Sequence, residues 1–210
     1  MTGKDKITEE KIFEAATEEF EQRGMEGARM QDIADRAGIN KALLHYYFRT
    51  KEKLFSAVFD KLAQKMFKKF AAVFEMDMPF EAKIQYFFSE HISFLEKNQS
   101  LPLFIIREVH RNPVLLKKFL DNINIENIQA EMKKNLPGAY LTEYQIAHIM
   151  ISIISLSVFP VLASPILKGI LDKQGIDFKA FLEERKEFSP WFVMCAINGM
   201  PQTPFNDKKK

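Results

Sequence analysis

The chain has 210 residues, of which 47% are hydrophobic and 28% are charged, and its formal net charge is +2. This composition is typical of a folded globular protein and excludes an extensively disordered one. So small a net charge does not by itself indicate a nucleic-acid partner. The single cysteine excludes an intrachain disulfide and has no neighbours at metal-ligand spacing, so we expect a reducing compartment and no metal or other cofactor.

We expect neither a targeting segment nor a membrane-spanning one. The first residues, MTGKDKITEEK, lack the apolar core of a signal peptide. The most apolar run, from Ile146 to Leu162, is interrupted by His148, three serines and Pro160, which favours a buried helix over a transmembrane one. We therefore expect a cytoplasmic protein without a membrane partner.

The first quarter of the chain contains three predicted helices. The first begins after an N-cap at Thr8 and ends at Gly24. The second covers about Met30 to Ala37, and Asn40 caps the third. Almost every periodic segment of the chain has helical spacing, and none has the alternation of a strand, so we predict an all-α fold.

The third predicted helix has an inward and an outward face. Leu44, Tyr47 and Phe48 have the i, i+3, i+4 spacing of residues that pack inwards. The side chains left to point outwards are Lys41, Ala42, His45 and Tyr46. Positive charge also concentrates here, with five basic and two acidic residues from Arg29 to Lys51. Two short helices joined by a glycine turn in this way indicate a helix-turn-helix that binds the DNA major groove.

A long helix is predicted from Lys51, after an N-cap at Thr50, to about Phe74. Pro, Gly and Asn residues separate the later predicted helices, which cover about residues 79–97, 101–111, 113–136, 142–159, 165–174 and 177–198. We expect an N-terminal helix-turn-helix domain at residues 1–52, joined by the long helix to a helical domain at 53–200, and a flexible tail at 201–210.

The segment from Ile12 to Leu54 resembles the N-terminal domain of TetR-type transcriptional regulators. The matching residues are, in order, Phe20, Gly24, Ile33-Ala34, Ala37-Gly38, Asn40-Lys41, His45 to Phe48, Arg49 to Glu52 and Leu54. The resemblance implies a homodimer whose two motifs bind successive major grooves of a palindromic DNA operator. It also implies a C-terminal domain that binds a small ligand and dimerises. In most members of the family, ligand binding moves the long connecting helix and relieves repression.

Two departures from the family pattern concern DNA contacts. The family usually begins its second helix with Ser or Thr, whereas this chain has Arg29 and Met30 and so lacks a capping hydroxyl that also contacts phosphate. We expect Arg29 to make that phosphate contact with its longer charged side chain. The frequent glycine at the start of the third helix is Ala42, and an aromatic residue is replaced by His45. We expect both changes to affect which sequence is bound.

Ten residues are candidates for DNA contact: Arg29, Gln31, Asn40, Lys41, Ala42, Leu43, His45, Tyr46, Tyr47 and Lys51. A lysine at position 41 suits guanine, the Gln31 amide suits adenine, and the methyl groups of residues 42 and 43 suit thymine. The two tyrosine hydroxyls and Lys51, at the start of the long helix, suit phosphates. The alternatives are a solvated lysine at position 41, and core packing for Leu43 and Tyr47.

The C-terminal region supplies candidates for a ligand pocket and a dimer interface. The pocket candidates, for a bulky hydrophobic small molecule, are Phe87, Phe88, His91, Phe94, Phe104, Glu108, Met150 and Phe159. The alternative for each is an ordinary core residue or a satisfied polar one. The dimer candidates, at a position where the family has an intermolecular four-helix bundle, are Tyr144, His148, Phe181, Phe188, Trp191 and Phe192. We expect Pro190 to kink or restart the last helix.

The sequence lacks a nucleophile with a neighbouring base, a Gly-rich phosphate loop and a carboxylate-histidine metal pattern, so we do not expect an enzyme. The favoured hypothesis is a homodimeric, ligand-responsive repressor. A transcriptional activator and a regulator that responds to a protein partner stay open. Outside DNA-binding proteins, the alternative is an α-helical lipid-binding protein or enzyme whose first quarter only mimics the motif.

Overall fold

The computed structural model describes the backbone of residues 3–121, 125–135 and 141–200, with side chains except at 3–6, 65–71, 74, 75, 118, 119 and 135. The predicted tail at 201–210 lies outside the described residues. Every regular element in the described ranges is an α-helix, which confirms the all-α prediction. The helices are α1 (Gly3–Gly27), α2 (Met30–Ala37), α3 (Lys41–Tyr47), α4 (Lys51–Glu75), α5 (Phe80–Lys97), α6 (Leu101–Arg111), α7 (Pro113–Asp121), α8 (Ile125–Asn135), α9 (Glu143–Leu162), α10 (Ser164–Asp172) and α11 (Phe178–Asn198).

The chain divides into two compact units. Unit 1 contains Met1–Phe67 and Leu103–Asn122, and unit 2 contains Lys68–Pro102 and Ile123–Lys210. Both α4 and α6 therefore contribute residues to each unit. The predicted boundary after residue 52 falls inside unit 1, because the first part of α4 and most of α6 group with α1, α2 and α3. The division of functions between the two regions stays a prediction.

Helix α1 begins at Gly3, so the predicted start after Thr8 is wrong. The residues between these positions include no proline, and helix formers such as lysine let the helix extend towards the N-terminus. The predicted break at Gly24 is confirmed, because this residue has φ 67° and ψ 178° inside α1. Only glycine adopts that conformation without strain. A further helical turn follows and reaches Gly27.

The core of unit 1 forms between the apolar faces of its helices. Phe20 of α1 is fully buried, and its ring meets the ring of Phe55 of α4 edge-on at 4.9 Å. Phe104 of α6 packs against Phe55 and Phe59 at centroid distances of 6.0 and 6.3 Å. The remaining fully buried apolar side chains in this unit are Ile12, Ala16, Ile33, Ala34, Leu44, Leu54 and Val58. Helix α3 contributes Leu44 to this core and packs against α2.

Unit 2 is built around α5, α9 and α11, which pack against one another. Helix α9 is long and apolar enough to span a membrane, a test that core helices also pass. One face of α9 supplies Ile146, Ile149 and Ile153 to the core, so the predicted burial of this helix holds for that face alone. The predicted helix at 113–136 corresponds to α7 and α8, while residues 122–124 and 136 lie outside the described residues.

Helix α11 contains Pro190 and runs unbroken through it. Of the two expected effects of this proline, a kink or a restart, the structure contradicts the restart. A proline has no N–H, so the carbonyl four residues earlier loses its partner within the helix. That carbonyl belongs to Lys186, and it accepts a hydrogen bond from Gln85 Nε2 of α5 at 3.2 Å. A neighbouring helix thus replaces the lost bond and keeps α11 continuous.

The same replacement occurs in α9, which contains Pro160. The carbonyl four residues earlier belongs to Leu156, and it accepts a hydrogen bond from Arg185 Nη2 of α11 at 2.9 Å. Burial lowers the pKa of Arg185, although an arginine side chain stays charged in proteins. The guanidinium also lies over the Phe181 ring, 5.5 Å from its centroid. Two prolines therefore create two side-chain links among α5, α9 and α11.

Candidate nucleic-acid interface

The turn between α2 and α3 has the local geometry of a helix-turn-helix. Gly38 ends α2 in the left-handed conformation, with φ 68° and ψ 32°. Its backbone N–H bonds to the Ala34 and Asp35 carbonyls, which closes the last turn of the helix. Asn40 then caps α3, because its Oδ1 accepts a hydrogen bond from Leu43 N at 2.7 Å. The predicted cap at Asn40 is confirmed.

Helix α3 presents an exposed face beside one buried residue. Leu44 is completely buried, and Phe48, just past the helix, packs edge-on against Phe13 of α1 at 5.7 Å. Tyr47 is half-buried. The exposed side chains are Lys41, Ala42, Leu43, His45 and Tyr46. The predicted split of this helix into an inward and an outward face is therefore confirmed.

Ion pairs fix the orientation of α2 on α1. Arg23 of α1 reaches Glu19 Oε1 at 3.2 Å and Asp32 Oδ2 at 2.8 Å. Arg36 of α2 reaches Glu18 Oε2 at 2.6 Å and lies 3.6 Å from Glu19 Oε2. Glu19 is fully buried and lies between the two arginines, so it contributes to both ion pairs. These two arginines serve the packing of the motif, and the sequence analysis had not assigned them a role.

At the start of α2, Arg29 occupies the N-cap position with an extended backbone and makes no side-chain capping bond. Its side chain is exposed, as a phosphate contact requires. Two residues later, Gln31 Nε2 donates to Asp35 Oδ1 at 2.7 Å. The Gln31 amide would have to release this aspartate before its NH₂ group bound an adenine.

Lys51 makes hydrogen bonds that the sequence did not predict. Its Nζ donates to the carbonyls of Glu26 and Ala28, each at 3.2 Å. These carbonyls lie at the C-terminal end of α1, where the helix dipole favours a positive charge. From its place at the N-terminus of α4 alone, this lysine was expected to contact a phosphate. At least two of its three N–H donors are instead directed at the backbone.

The N-terminus of α4 is capped next to that lysine. Thr50 Oγ1 accepts a hydrogen bond from Lys53 N at 3.2 Å. The pKa of Glu52 is lowered from its usual value by its own backbone N–H, then by the Thr50 hydroxyl and by Lys51. The ionised Glu52 carboxylate therefore stabilises the start of α4 at pH values above the usual pKa of a glutamate. This stabilisation is lost when acidification protonates the carboxylate.

His45 makes one hydrogen bond, between its Nδ1 and the Arg49 carbonyl oxygen at 3.3 Å. Tyr46 is 81% exposed, and its ring meets the Tyr47 ring edge-on at 5.6 Å. Its hydroxyl is therefore accessible to a phosphate. The ten predicted contact residues lie on the start of α2, along α3 and at the start of α4.

Helix α6 contributes two charged residues beside Gly24. Arg107 Nη2 lies 3.4 Å from the Phe20 carbonyl, and Arg107 Nε pairs with Glu108 Oε1 at 3.0 Å. A Cβ on Gly24 would lie 3.3 Å from Glu108 Oε1. Glu108, predicted as a pocket residue, is thus a buried partner of Arg107 in unit 1. The signal for this contact in the sequence is Gly24 itself. At this position the backbone conformation favours glycine, and the side chains of Arg107 and Glu108 leave little room for a Cβ.

The predicted pocket residues are divided between the two units. Phe87, Phe88, His91 and Phe94 are buried in unit 2, whereas Phe104 and Glu108 are buried in unit 1. Met150 is half-buried, and Phe159 is 57% exposed. Burial lowers the pKa of His91 to about 3, so its ring is neutral at neutral pH. It lies edge-on to the Phe87 ring at 5.1 Å.

Five of the six predicted dimer residues are exposed on α9 and α11: Tyr144, His148, Phe188, Trp191 and Phe192. The Phe188 ring lies 5.6 Å from Trp191 and 5.9 Å from Phe192. Phe181 is half-buried beneath the Arg185 guanidinium. Ile151, Ile154 and Phe159 of α9 are also exposed, so apolar side chains extend along both helices.

Residues 12–58 match the family of bacterial regulatory proteins named tetR. Over 62 residues, 29% of this chain and 32% of the relative, the sequence is 42% identical to the HTH-type transcriptional repressor SCO4008 of Streptomyces coelicolor. The match thus spans about a third of that relative.

Two solved structures extend the similarity of the fold. One is a TetR-like transcriptional regulator from Rhodococcus, with a TM-score of 0.64 at 16% identity over 92% of this chain and 97% of that one. The other is FadR from Bacillus subtilis in complex with stearoyl-CoA, with a TM-score of 0.58 at 17% identity over 84% and 95% of the two chains. The sequence similarity to the tetR family of bacterial regulatory proteins thus covers residues 12–58, and the similarity of fold to a TetR-like regulator covers most of the chain.

Proposed function

We propose that the protein is a homodimeric transcriptional repressor that a bulky hydrophobic small molecule releases from a palindromic operator. The observation that carries this proposal is the exposed face of α3, where Lys41, Ala42, His45 and Tyr46 surround the buried Leu44. A helix whose backbone is fixed from one side and exposed on the other can enter a major groove without unfolding its domain.

The polar groups on this surface divide into base contacts and phosphate contacts. Lys41 lies at the start of α3, where its ammonium group reaches guanine O6 or N7. Arg29 and the hydroxyls of Tyr46 and Tyr47 donate to phosphates on either side of the groove. Phosphate contacts set the position of the helix, and base contacts set the preferred sequence.

Dimerisation is supported by the exposed apolar surface of α9 and α11. Trp191 is 60% exposed and Phe188 is 44% exposed, although both are large aromatic side chains. A second copy that covers this surface with its own α9 and α11 forms a symmetric interface. Two copies of α3 then bind half-sites about one helical turn of DNA apart, which makes the operator a palindrome.

The hydrophobic ligand is inferred from the apolar side chains of α5. Phe87, Phe88 and Phe94 of α5 are buried in unit 2 and supply an apolar environment. The neutral His91 beside them adds a polar group suited to orienting an uncharged part of a ligand. The FadR structure, which has a similar fold, is a complex with stearoyl-CoA. Repression is supported by the name of the Streptomyces coelicolor relative.

DNase footprinting of the gene's own upstream region tests DNA binding. We expect the wild type to protect an inverted repeat and Lys41→Ala to lose affinity and change the preferred sequence. The matched control is Lys179→Ala, which removes the same charge from an exposed position on α11. Failure of the wild type to protect any repeat contradicts the proposal, and equal effects of both variants contradict the role of Lys41.

Native mass spectrometry of protein purified from its own host tests the ligand and the dimer together. We expect a dimer mass that carries a non-covalent hydrophobic molecule, which organic extraction removes. Adding back the extracted molecule is expected to weaken the footprint. A monomeric species, or a footprint that the extract leaves unchanged, contradicts the corresponding part of the proposal.

A further inference from the structure

We propose that His45 recognises a base that carries an amino group, adenine or cytosine, through its Nε2 acting as a hydrogen-bond acceptor. The inference rests on the proposed function, because it requires α3 to lie in the major groove. It goes beyond that function by assigning the chemical class of one operator base to one atom of this chain.

His45 Nδ1 makes a hydrogen bond with the Arg49 carbonyl oxygen, 3.3 Å away. A carbonyl oxygen only accepts hydrogen bonds, so Nδ1 must be the donor and must carry the proton. A neutral imidazole has a single N–H. The other ring nitrogen, Nε2, is then left with a lone pair and no hydrogen.

The chain between α3 and α4 explains why this carbonyl is available. Phe48 ends α3 in an extended conformation, with φ −132° and ψ 99°. The first backbone bond of α4 runs from Leu54 N to the Thr50 carbonyl, at 3.2 Å. The Arg49 carbonyl therefore lies between the two helices and outside both of their hydrogen-bond ladders, where the His45 ring reaches it.

In the major groove, an acceptor distinguishes two classes of base. Adenine N6 and cytosine N4 carry N–H donors, whereas guanine O6 and N7 and thymine O4 are acceptors. The lone pair on Nε2 bonds to the first class and is repelled by the second. His45 is exposed on α3, so this nitrogen is accessible to base edges. The expected preference for adenine or cytosine over guanine or thymine at one position of each half-site is roughly tenfold.

Lys41 supplies the opposite chemistry four residues earlier on the same helix face. Its ammonium group only donates, so it bonds to an acceptor such as guanine. Four residues of helix rise about 6 Å, which is close to the height of two base-pair steps. The operator half-site is therefore expected to hold a position recognised by a donor about two base pairs from one recognised by an acceptor.

Selection of duplexes from a random DNA pool tests this assignment, at about pH 8 so that histidine side chains are neutral. We expect wild-type protein to enrich adenine or cytosine at one position of each half-site. The His45→Arg variant replaces the acceptor with donors only, and we expect guanine at that same position. The His45→Phe variant has neither, and we expect the preference to vanish there while the other positions are retained. Melting temperatures of the three proteins establish that each is folded.

The outcomes separate this inference from the proposed function. If the wild type enriches an inverted repeat and both variants enrich an identical one, the proposed function stands and the role of His45 is overturned. Because guanine pairs with cytosine and adenine with thymine, the bases are compared on one strand, the strand on which His45→Arg enriches guanine. Guanine or thymine enriched by the wild type at that position of that strand also overturns the inference. If the wild type enriches no recurrent sequence, the proposed function fails, and this inference fails with it.

Nitrogen NMR of the free protein gives a second test that needs no DNA. The ¹⁵N shifts of the His45 ring distinguish the two neutral tautomers. We expect the proton on Nδ1, as the Arg49 carbonyl requires. A neutral ring with its proton on Nε2 overturns the inference, whatever the DNA preference.

Discussion

The ammonium group of Lys51 bonds to the carbonyls of Glu26 and Ala28 and thereby connects α4 to the end of α1. We predict that Lys51→Met lowers the free energy of unfolding by about 1–2 kcal/mol, because a charged donor is removed from two backbone carbonyls, of which the Ala28 carbonyl is partly buried. Urea denaturation measures this loss. The control is Lys53→Met, which removes an exposed lysine from the same helix turn.

Salt dependence separates this role from a phosphate contact. A lysine that binds a phosphate contributes about one unit to the slope of log affinity against log salt concentration. We expect Lys51→Met to leave the slope nearly unchanged. A slope reduced by about one unit, with unaltered stability, would restore the phosphate contact that the sequence predicted.

Two glycines with almost the same φ provide a second test at single residues. Gly38 has φ 68° and ψ 32°, and no atom lies within 4 Å of the position of an added Cβ. Gly24 has φ 67° and ψ 178°, and an added Cβ would meet Glu108 Oε1 at 3.3 Å. We predict that Gly38→Ala costs about 1 kcal/mol and Gly24→Ala about 2–3 kcal/mol. Equal losses in thermal or chemical unfolding would contradict the close contact at Gly24.

Sequence reasoning succeeded where the determining contacts are local. The outward face of α3 and the Asn40 cap depend on residues within one or two turns, so spacing alone indicated them. Lys51 bonds to carbonyls 25 and 23 positions away in sequence, and Arg107 contacts a carbonyl 87 positions away. Helical periodicity also fails to tell which apolar face turns to the core. It did not show that Phe159 is more than half exposed or that Glu108 belongs to unit 1.

At the scale of helices, the internal prolines of α9 and α11 make two side chains structurally necessary. Gln85 of α5 bonds to the Lys186 carbonyl that Pro190 leaves without a helix partner. We predict that Gln85→Met costs about 1–2 kcal/mol, because it leaves a partly buried carbonyl unsatisfied. In a Pro190→Ala background, residue 190 has an N–H that bonds to the Lys186 carbonyl within the helix. Gln85→Met is then expected to cost close to nothing.

A double-mutant cycle of Gln85→Met and Pro190→Ala, followed by chemical denaturation, measures this coupling. The control cycle pairs Gln85→Met with Glu187→Ala, a change at an exposed residue of α11, the helix that contains Pro190. Additive effects in the proline cycle would show that the Gln85 bond does not replace the missing helix bond.

At the scale of the whole molecule, the exposed aromatic side chains of α11 predict the oligomeric state. We expect Trp191→Glu to shift the protein from dimer to monomer in analytical ultracentrifugation, because a charge buried in an apolar interface costs more than the contact it replaces. Operator affinity should fall with it, since only one copy of α3 then binds at a time.

The control for this prediction is Ile7→Glu, which places the same charge at a residue of matching exposure on α1: 58% for Ile7 and 60% for Trp191. We expect this variant to stay dimeric. If Trp191→Glu also sediments as a dimer, α11 does not form the interface, and the exposed apolar residues of α6 and α7, which include Leu103 and Val114, become the next surface to test.

The proline carbonyls have a further consequence for how unit 2 folds. Neither α9 nor α11 can complete its own backbone hydrogen bonds, because Leu156 and Lys186 obtain their partners from Arg185 and Gln85 on other helices. An isolated peptide of α11 should therefore be less helical than its composition suggests. Secondary structure and helix docking in unit 2 then form in the same cooperative transition, with few partly helical intermediates.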